Sequence, residues 1–213
     1  MLAACSPRSP FLSPKRNKMI VWHSSENCKA NFLDKAEVKR TAWLLVRSGE
    51  VVCALCAGPL TVHGCYPRHC RDEEGNRHYG WIAQGYCDAC KVYPALIPSF
   101  IKPNKHYKAD VIERVIEEAE AGGNVEGLSG CAADASTMRR WVKDFKERGE
   151  QAASCLISKL PAAHNAHILS LDLHGMTLLQ KLARLLHEYP VRDGGGVIGN
   201  ANIILTTQNC GFL

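Results

Sequence analysis

From Lys108 to Ala121 apolar residues recur at intervals of three and four, placing Val111, Ile112, Val115, Ile116 and Ala119 on one face and Glu113, Glu117, Glu118 and Glu120 opposite. That period predicts an amphipathic helix, closed by Gly122-Gly123. A short segment from Val125 to Ala133 follows, and the same period then returns from Asp134 to Gly149. In this second helix Met138, Trp141, Val142 and Phe145 share the apolar face, while Arg139, Arg140, Lys143 and Lys146 share the other. Ser136 is the expected cap and Gly149 the expected stop. Upstream, Leu60 to Pro67 and Arg77 to Tyr86 are rich in β-branched and aromatic residues, and Asp72-Glu73-Glu74-Gly75-Asn76 between them predicts a hairpin turn.

Beyond Glu150 the pattern becomes leucine-rich, through Ile168, Leu171, Leu178, Leu179, Leu182, Leu185 and Leu186, broken at Gly175. Helices docked on the body are expected there, with a dimerising helix pair as the sharper alternative. Gly194-Gly195-Gly196-Val197-Ile198-Gly199 lacks the Gly-Lys-Ser/Thr ending of a phosphate loop, so it is expected to be a linker. The apolar stretch Asn202 to Leu213 predicts a strand or a final docking segment. The predicted organisation is therefore a disordered tail over 1–18, rich in proline, serine and basic residues, and an N-terminal segment over 19–50 in which Trp22 and Trp43 pack. A small antiparallel ribbon follows over 51–107, a helix-turn-helix-like domain over 108–150 and a leucine-rich helical region over 151–213. The fold class is α+β.

With 213 residues, 46% of them apolar and 22% charged, the composition excludes wholesale disorder and collagen-like or coiled-coil architectures. No apolar run reaches the ~18 to 20 residues of a membrane span, so a soluble protein is expected. Leu2-Ala3-Ala4-Cys5 has the look of a lipoprotein cleavage box but lacks the basic start and apolar run of a signal peptide, and Met19 is an alternative start. The net charge of +5 is modest. Its distribution is uneven: residues 1–50 hold nine Lys/Arg against four Asp/Glu, whereas residues 108–150 hold seven against ten.

Among the eleven cysteines, Cys53-Ala-Leu-Cys56 and Cys87-Asp-Ala-Cys90 stand out. Two intervening residues let a tight turn aim both sulfurs at one ion, and two such knuckles thirty residues apart have the spacing of a zinc ribbon. Four thiolates close the coordination shell, so the expected cofactor is a structural Zn2+ held by Cys53, Cys56, Cys87 and Cys90. It would supply much of the folding free energy of so small a sheet. A disulfide within each knuckle or a thioredoxin-like redox pair are the competing readings, and the latter wants a βαβ pattern absent here. His63, Cys65, His69, Cys70 and His78 lie between the knuckles as substitute ligands, though each reads more simply as a strand or surface residue. Cys5, Cys28, Cys131, Cys155 and Cys210 lack a partner at metal spacing. The count is odd, and a reducing compartment is expected.

A helix, a short helix, a turn and a basic helix is the order of a helix-turn-helix, whose last helix enters the major groove. There Arg139, Arg140, Lys143 and Lys146 would meet phosphates or guanine edges, and Ser136 and Thr137 would sit where backbone amides also meet phosphate. A three-helix packing module with a solvated basic face is the competing reading.

Cys53-x-x-Cys56-x-Gly58-x-Leu60-x-x-His63-Gly64-x-Tyr66-x-Arg68, Cys87-x-x-Cys90, Ala95-Leu96-Ile97-Pro98-x-Phe100-x-x-Pro103-x-x-x-Tyr107 and Ser136-Thr137-x-Arg139-Arg140-Trp141 together resemble a bacterial domain of unknown function. That domain is related to the zinc ribbon and helix-turn-helix at the N-terminus of insertion-sequence transposases. The likeness covers about residues 51–148. It implies binding of double-stranded DNA, the four cysteines as metal ligands, the helix around Arg139 to Lys146 as reader, and a bacterial cytoplasmic, nucleoid-associated location. Transposases continue into a nuclease domain with three carboxylates, whereas sixty-three residues follow Glu150 here, with Asp172, Glu188 and Asp193. A non-enzymatic DNA-binding protein of mobile-element origin is expected, with no catalytic residues, no small-molecule substrate, no membrane association and a possible homodimer. A protein-interaction adaptor built on the ribbon and the leucine-rich helix, and a truncated transposase remnant, are the alternatives.

Overall fold

The computed structural model describes residues 19–24, 34–128, 130–160, 173–189 and 196–207. The tail over 1–18, Cys5, Cys28, Cys210, Ile168 and Leu171 lie outside them. The fold is mixed α and β, a four-stranded sheet with five α-helices among the described residues. Strands β1 (Met19–Trp22), β2 (Thr61–Arg71), β3 (Arg77–Tyr86) and β4 (Ala95–Pro98) are ordered β1-β4-β3-β2 across the sheet.

The hairpin forms where alternation and turn chemistry agree. Between β2 and β3, Asp72 organises the turn by accepting Asn76 N at 2.8 Å on one carboxylate oxygen and His78 Nε2 at 2.6 Å on the other, while Gly75 supplies a φ of 86°. The predicted pair is thus one arm of a larger sheet. On the other side of β3, β4 pairs antiparallel, and β1 then pairs parallel to β4 with Met19 opposite Ala95 and Trp22 opposite Pro98. A parallel neighbour needs a long crossover, here everything between residues 22 and 95, which local pattern does not reveal.

Helix α1 (Lys35–Arg47) starts at Asp34, whose carboxylate accepts Ala36 N and Glu37 N. Its Val38, Ala42 and Leu45 cover one sheet face with Ile20, Trp22, Ala83 and Leu96. Trp22 is buried as expected, but Trp43 is 49% exposed at the edge of α1, with the Arg47 guanidinium 4.8 Å from its ring centroid.

The second core is helical. Helices α2 (Ala109–Glu120), α3 (Ala135–Lys159), α4 (Leu178–Leu186) and α5 (Gly196–Thr207) share one cluster that includes Ile112, Ile116, Trp141, Phe145, Leu156, Leu182, Leu185 and Leu205. Three sequence expectations change here. Asp134, not Ser136, caps α3, accepting Thr137 N at 2.8 Å. Gly149 does not stop α3, which runs on for ten residues; a Cβ there would stand 2.3 Å from Leu178 Cδ2, so this glycine makes room for α4. Gly196 to Gly199 are helix rather than linker, opening α5, whose Ile198, Ala201 and Leu205 are buried and whose Thr206 Oγ1 accepts Val21 N at the edge of β1. The leucines of α4 dock on the body, as the first of the two readings has it. No helix among the described residues is long and apolar enough to cross a membrane.

Candidate metal centre and basic helix

The two cysteine pairs occupy matching turns. Ala57 N donates to Cys53 O at 2.8 Å and Lys91 N to Cys87 O at 2.8 Å, and each turn then closes by a return bond, Cys53 N to Gly58 O at 2.9 Å and Cys87 N to Val92 O at 3.0 Å. Ala57 and Lys91 each adopt a φ of 54°, the left-handed step that folds the chain back beneath the sulfurs. The first turn leads into β2 and the second leaves β3, and because Thr61 pairs with Tyr86 the hairpin delivers both to one end. The four sulfurs converge there, all within 4.8 Å of one another, with Cys56 and Cys87 Sγ at 3.6 Å. A tetrahedron with Zn–S bonds of about 2.3 Å has edges of about 3.8 Å. The donor set and its spacing fit a metal ion such as zinc.

All four thiols are free, so the disulfide alternative does not hold. Gly58 N donates to Cys56 Sγ at 3.4 Å and, with the neighbouring thiols, draws the Cys56 pKa down to about 7. Hydrogen bonding with Cys56, followed by burial, pushes Cys90 up to about 12, as befits four sulfurs that cannot all ionise together without a cation. Cys53 and Cys87 are buried, Cys90 is half-buried and Cys56 is exposed, giving a site seated at the surface and anchored in the α1-side core.

The substitute ligands stand elsewhere. A bulge between Val62 and Gly64 turns His63 out of register and against Tyr93, ring centroids 4.7 Å apart. Cys70 is wholly buried and its thiol is pushed up to about 12 by that burial, His69 stacks on His106, and His78 is held by Asp72. Among the described residues the four cysteines are the one group able to hold an ion. Cys131 is a free thiol, and Cys155 is disulfide-bonded, a bond that spacing did not disclose.

Residues 53–141 match the family model of a domain of unknown function, DUF6431. That span runs from Cys53, the first cysteine of the cluster, to Trp141 in the second turn of α3. It takes in both knuckles, the hairpin, β4, α2 and the first turns of α3. No curated protein and no solved structure matches the chain.

Within the matched span, α3 carries the predicted basic residues as expected from its period. Met138, Trp141 and Phe145 are buried, and Arg139, Arg140, Lys143 and Lys146 are exposed. The short second helix is a single 3-10 turn, Val125–Gly127. Arg139 pairs with Glu126 at 2.6 Å and Lys143 approaches Glu147 at 3.7 Å. Ser136 and Thr137 are engaged by Asp134, which accepts Ser136 Oγ at 2.5 Å and Thr137 Oγ1 at 2.8 Å. These bonds and the helix amide lower the Asp134 pKa to about 2, so a full negative charge already occupies the α3 N-terminus.

The sequence missed two functional carboxylates of a structural kind. Glu120 accepts Leu178 N at 3.1 Å and Leu179 N at 3.0 Å, and Glu113 accepts Val197 N at 3.1 Å and Ile198 N at 2.9 Å. Both sit on the polar side of α2, and each closes the N-terminus of a later helix. Part of the acid that offsets the local basic charge is thereby directed inward, away from the exposed face of α3.

Proposed function

We propose that the chain is a DNA-binding protein of transposase-like origin, in which a structural zinc on Cys53, Cys56, Cys87 and Cys90 braces the body and α3 meets a duplex in a helix-turn-helix manner. The observation that carries the reading is α3 itself: its apolar side is fixed in the helical core while Arg140, Lys143 and Lys146 face solvent in a row. The pairs Arg139–Glu126 and Lys143–Glu147 are exposed, and surface pairs of this kind are worth about 0–1 kcal/mol, so phosphate can replace the carboxylate. Contact through the flank of α3 is favoured over its N-terminus, where Asp134 would repel phosphate. Binding would rest mainly on phosphate neutralisation and fall steeply with salt.

The test is anisotropy titration of random-sequence duplex at several salt concentrations, with the intact zinc-loaded chain and an Arg139→Ala/Arg140→Ala/Lys143→Ala variant. The expected result is salt-dependent binding that the variant weakens by about tenfold or more. Binding indifferent to both salt and substitution overturns it.

An adaptor role has one observation in its favour. Trp43 and Leu44 are about half exposed on α1, and Trp43 lines a groove with Leu60, Thr61 and Val62 at the start of β2. Under that reading the docking surface is α1 rather than the leucine-rich helix, whose leucines are buried. Co-purification of a stoichiometric protein partner without nucleic acid supports it.

A further inference from the structure

The groove beside α1 is a surface that the duplex reading leaves unused. It is an open cleft of about 690 Å³ between the helix and the start of β2, walled by Trp43, Val46, Leu60 and Val62. A scattered exposed hydrophobic residue needs no explanation, but here a half-exposed tryptophan forms one wall of a concave apolar site.

The rim of the cleft is basic. Lys39, Arg40 and Arg47 line it and no carboxylate does. Arg40 reaches only Glu37, at 3.8 Å with both side chains exposed, a contact worth little in water. Arg47 stands over the Trp43 ring, 4.8 Å from its centroid, which steadies the ring and leaves the guanidinium N–H groups available to a carboxylate. The other acidic groups of this segment are held off the cleft: Asp34 accepts Ala36 N and Glu37 N at the first turn, and Glu50 follows the last. An occupant is therefore expected to bring an apolar group and negative charge together.

We propose that this cleft docks a short acidic peptide segment of a partner protein. One aliphatic or aromatic side chain of the peptide seats against Trp43, Val46, Leu60 and Val62, and flanking Asp or Glu carboxylates meet Lys39, Arg40 and Arg47. The proposal rests on the α1 surface of the adaptor reading and is independent of DNA binding by α3. Aliphatic walls and a tryptophan that already carries Arg47 suit a single side chain better than a run of stacked bases, which needs open aromatic faces. A second copy of the chain, meeting this surface across a two-fold axis, would set the same three cations against each other.

The experiment selects random-sequence dodecapeptides on the immobilised zinc-loaded chain and measures the enriched peptides in solution by fluorescence anisotropy. The pool is expected to be acidic around an apolar residue. Trp43→Ala and Lys39→Glu/Arg40→Glu/Arg47→Glu are each expected to weaken a selected peptide by about tenfold or more, whereas the α3 triple variant above binds it as wild type does. The substituted side chains are exposed, so metal content and circular dichroism are expected to match wild type. Failure to enrich any peptide, enrichment of peptides without acidic residues, or binding that the α1 variants leave intact overturns the proposal. A dimer lost in Trp43→Ala puts a second copy in the cleft, and oligothymidylate bound more tightly than any selected peptide and lost in the same variants puts nucleic acid there; either result overturns it. A stoichiometric folded partner that the selected peptide does not displace overturns the cleft assignment while the adaptor reading stands.

Discussion

At the scale of single residues, the four cysteines are the clearest case of convergence foretold by spacing, and Lys102 is the clearest case of chemistry that spacing hides. Lys102 is 3% exposed, its amine has no hydrogen-bond partner among the described residues, and burial, with Lys105 adding repulsion, brings its pKa down from 10.5 to about 7. The folded state thus disfavours the charged amine. Below pH 7 both folded and unfolded chains hold the proton and the cost is fully present; it fades as pH rises toward 10.5, where neither does. Stability is therefore expected to rise with pH across that window. Lys102→Met is expected to stabilise the chain by ~1–4 kcal/mol at pH 7 and to remove this part of the pH dependence. Urea denaturation of both proteins at several pH values, with the same metal content, checks it; a variant less stable than wild type at pH 7 contradicts it. Nothing in the run Ile101 to His106 marks the lysine as buried, because its burial comes from α3 and β2, remote in the chain.

At the scale of elements, the apolar periods of α2 and α3 are legible because each helix presents one face to one core, so Val111, Ile112, Val115 and Ile116 are buried as their spacing requires. Ends are less legible. Gly149 looks like a stop, yet it lies mid-helix because its missing Cβ admits Leu178, and α5 opens in what reads as a glycine linker because Glu113 caps it. Two substitutions probe this. In α2, Glu120→Ala removes the acceptors of Leu178 N and Leu179 N while the Thr177 cap of α4 remains, and is expected to cost about 0.5–2 kcal/mol in chemical denaturation. In α5, Gly199→Ala would place a Cβ 2.7 Å from Ser99 O, so it is expected to destabilise by about 1–3 kcal/mol although alanine is the better helix former. A neutral or stabilising Gly199→Ala would mean that α5 does not seat on the Ser99 turn.

At the scale of the whole molecule, the four-cysteine cluster closes the sheet-side core, into which Cys53 and Cys87 are buried beside Val51, Leu60 and Leu96. Elemental analysis is expected to find one zinc per chain. Chelation or Cys87→Ser is expected to remove it and to lower the thermal midpoint sharply, since the binding energy of such sites is folding energy. A metal-free chain with an unchanged midpoint contradicts a structural role. The sequence by itself determined the knuckles, the β2–β3 hairpin and the inward faces of α2, α3 and α4, because each depends on residues a few positions apart. Tertiary structure alone decided the parallel pairing of β1 with β4, the helical start of α5, the capping duties of Glu113 and Glu120 and the tie of α3 to the 102–105 loop through the Lys105–Asp144 pair. Those features depend on partners brought together across 58 residues for Glu120 and Leu178, or 185 for Val21 and Thr206. Contacts at such separations arise from how the layers stack, and no short-range period encodes them.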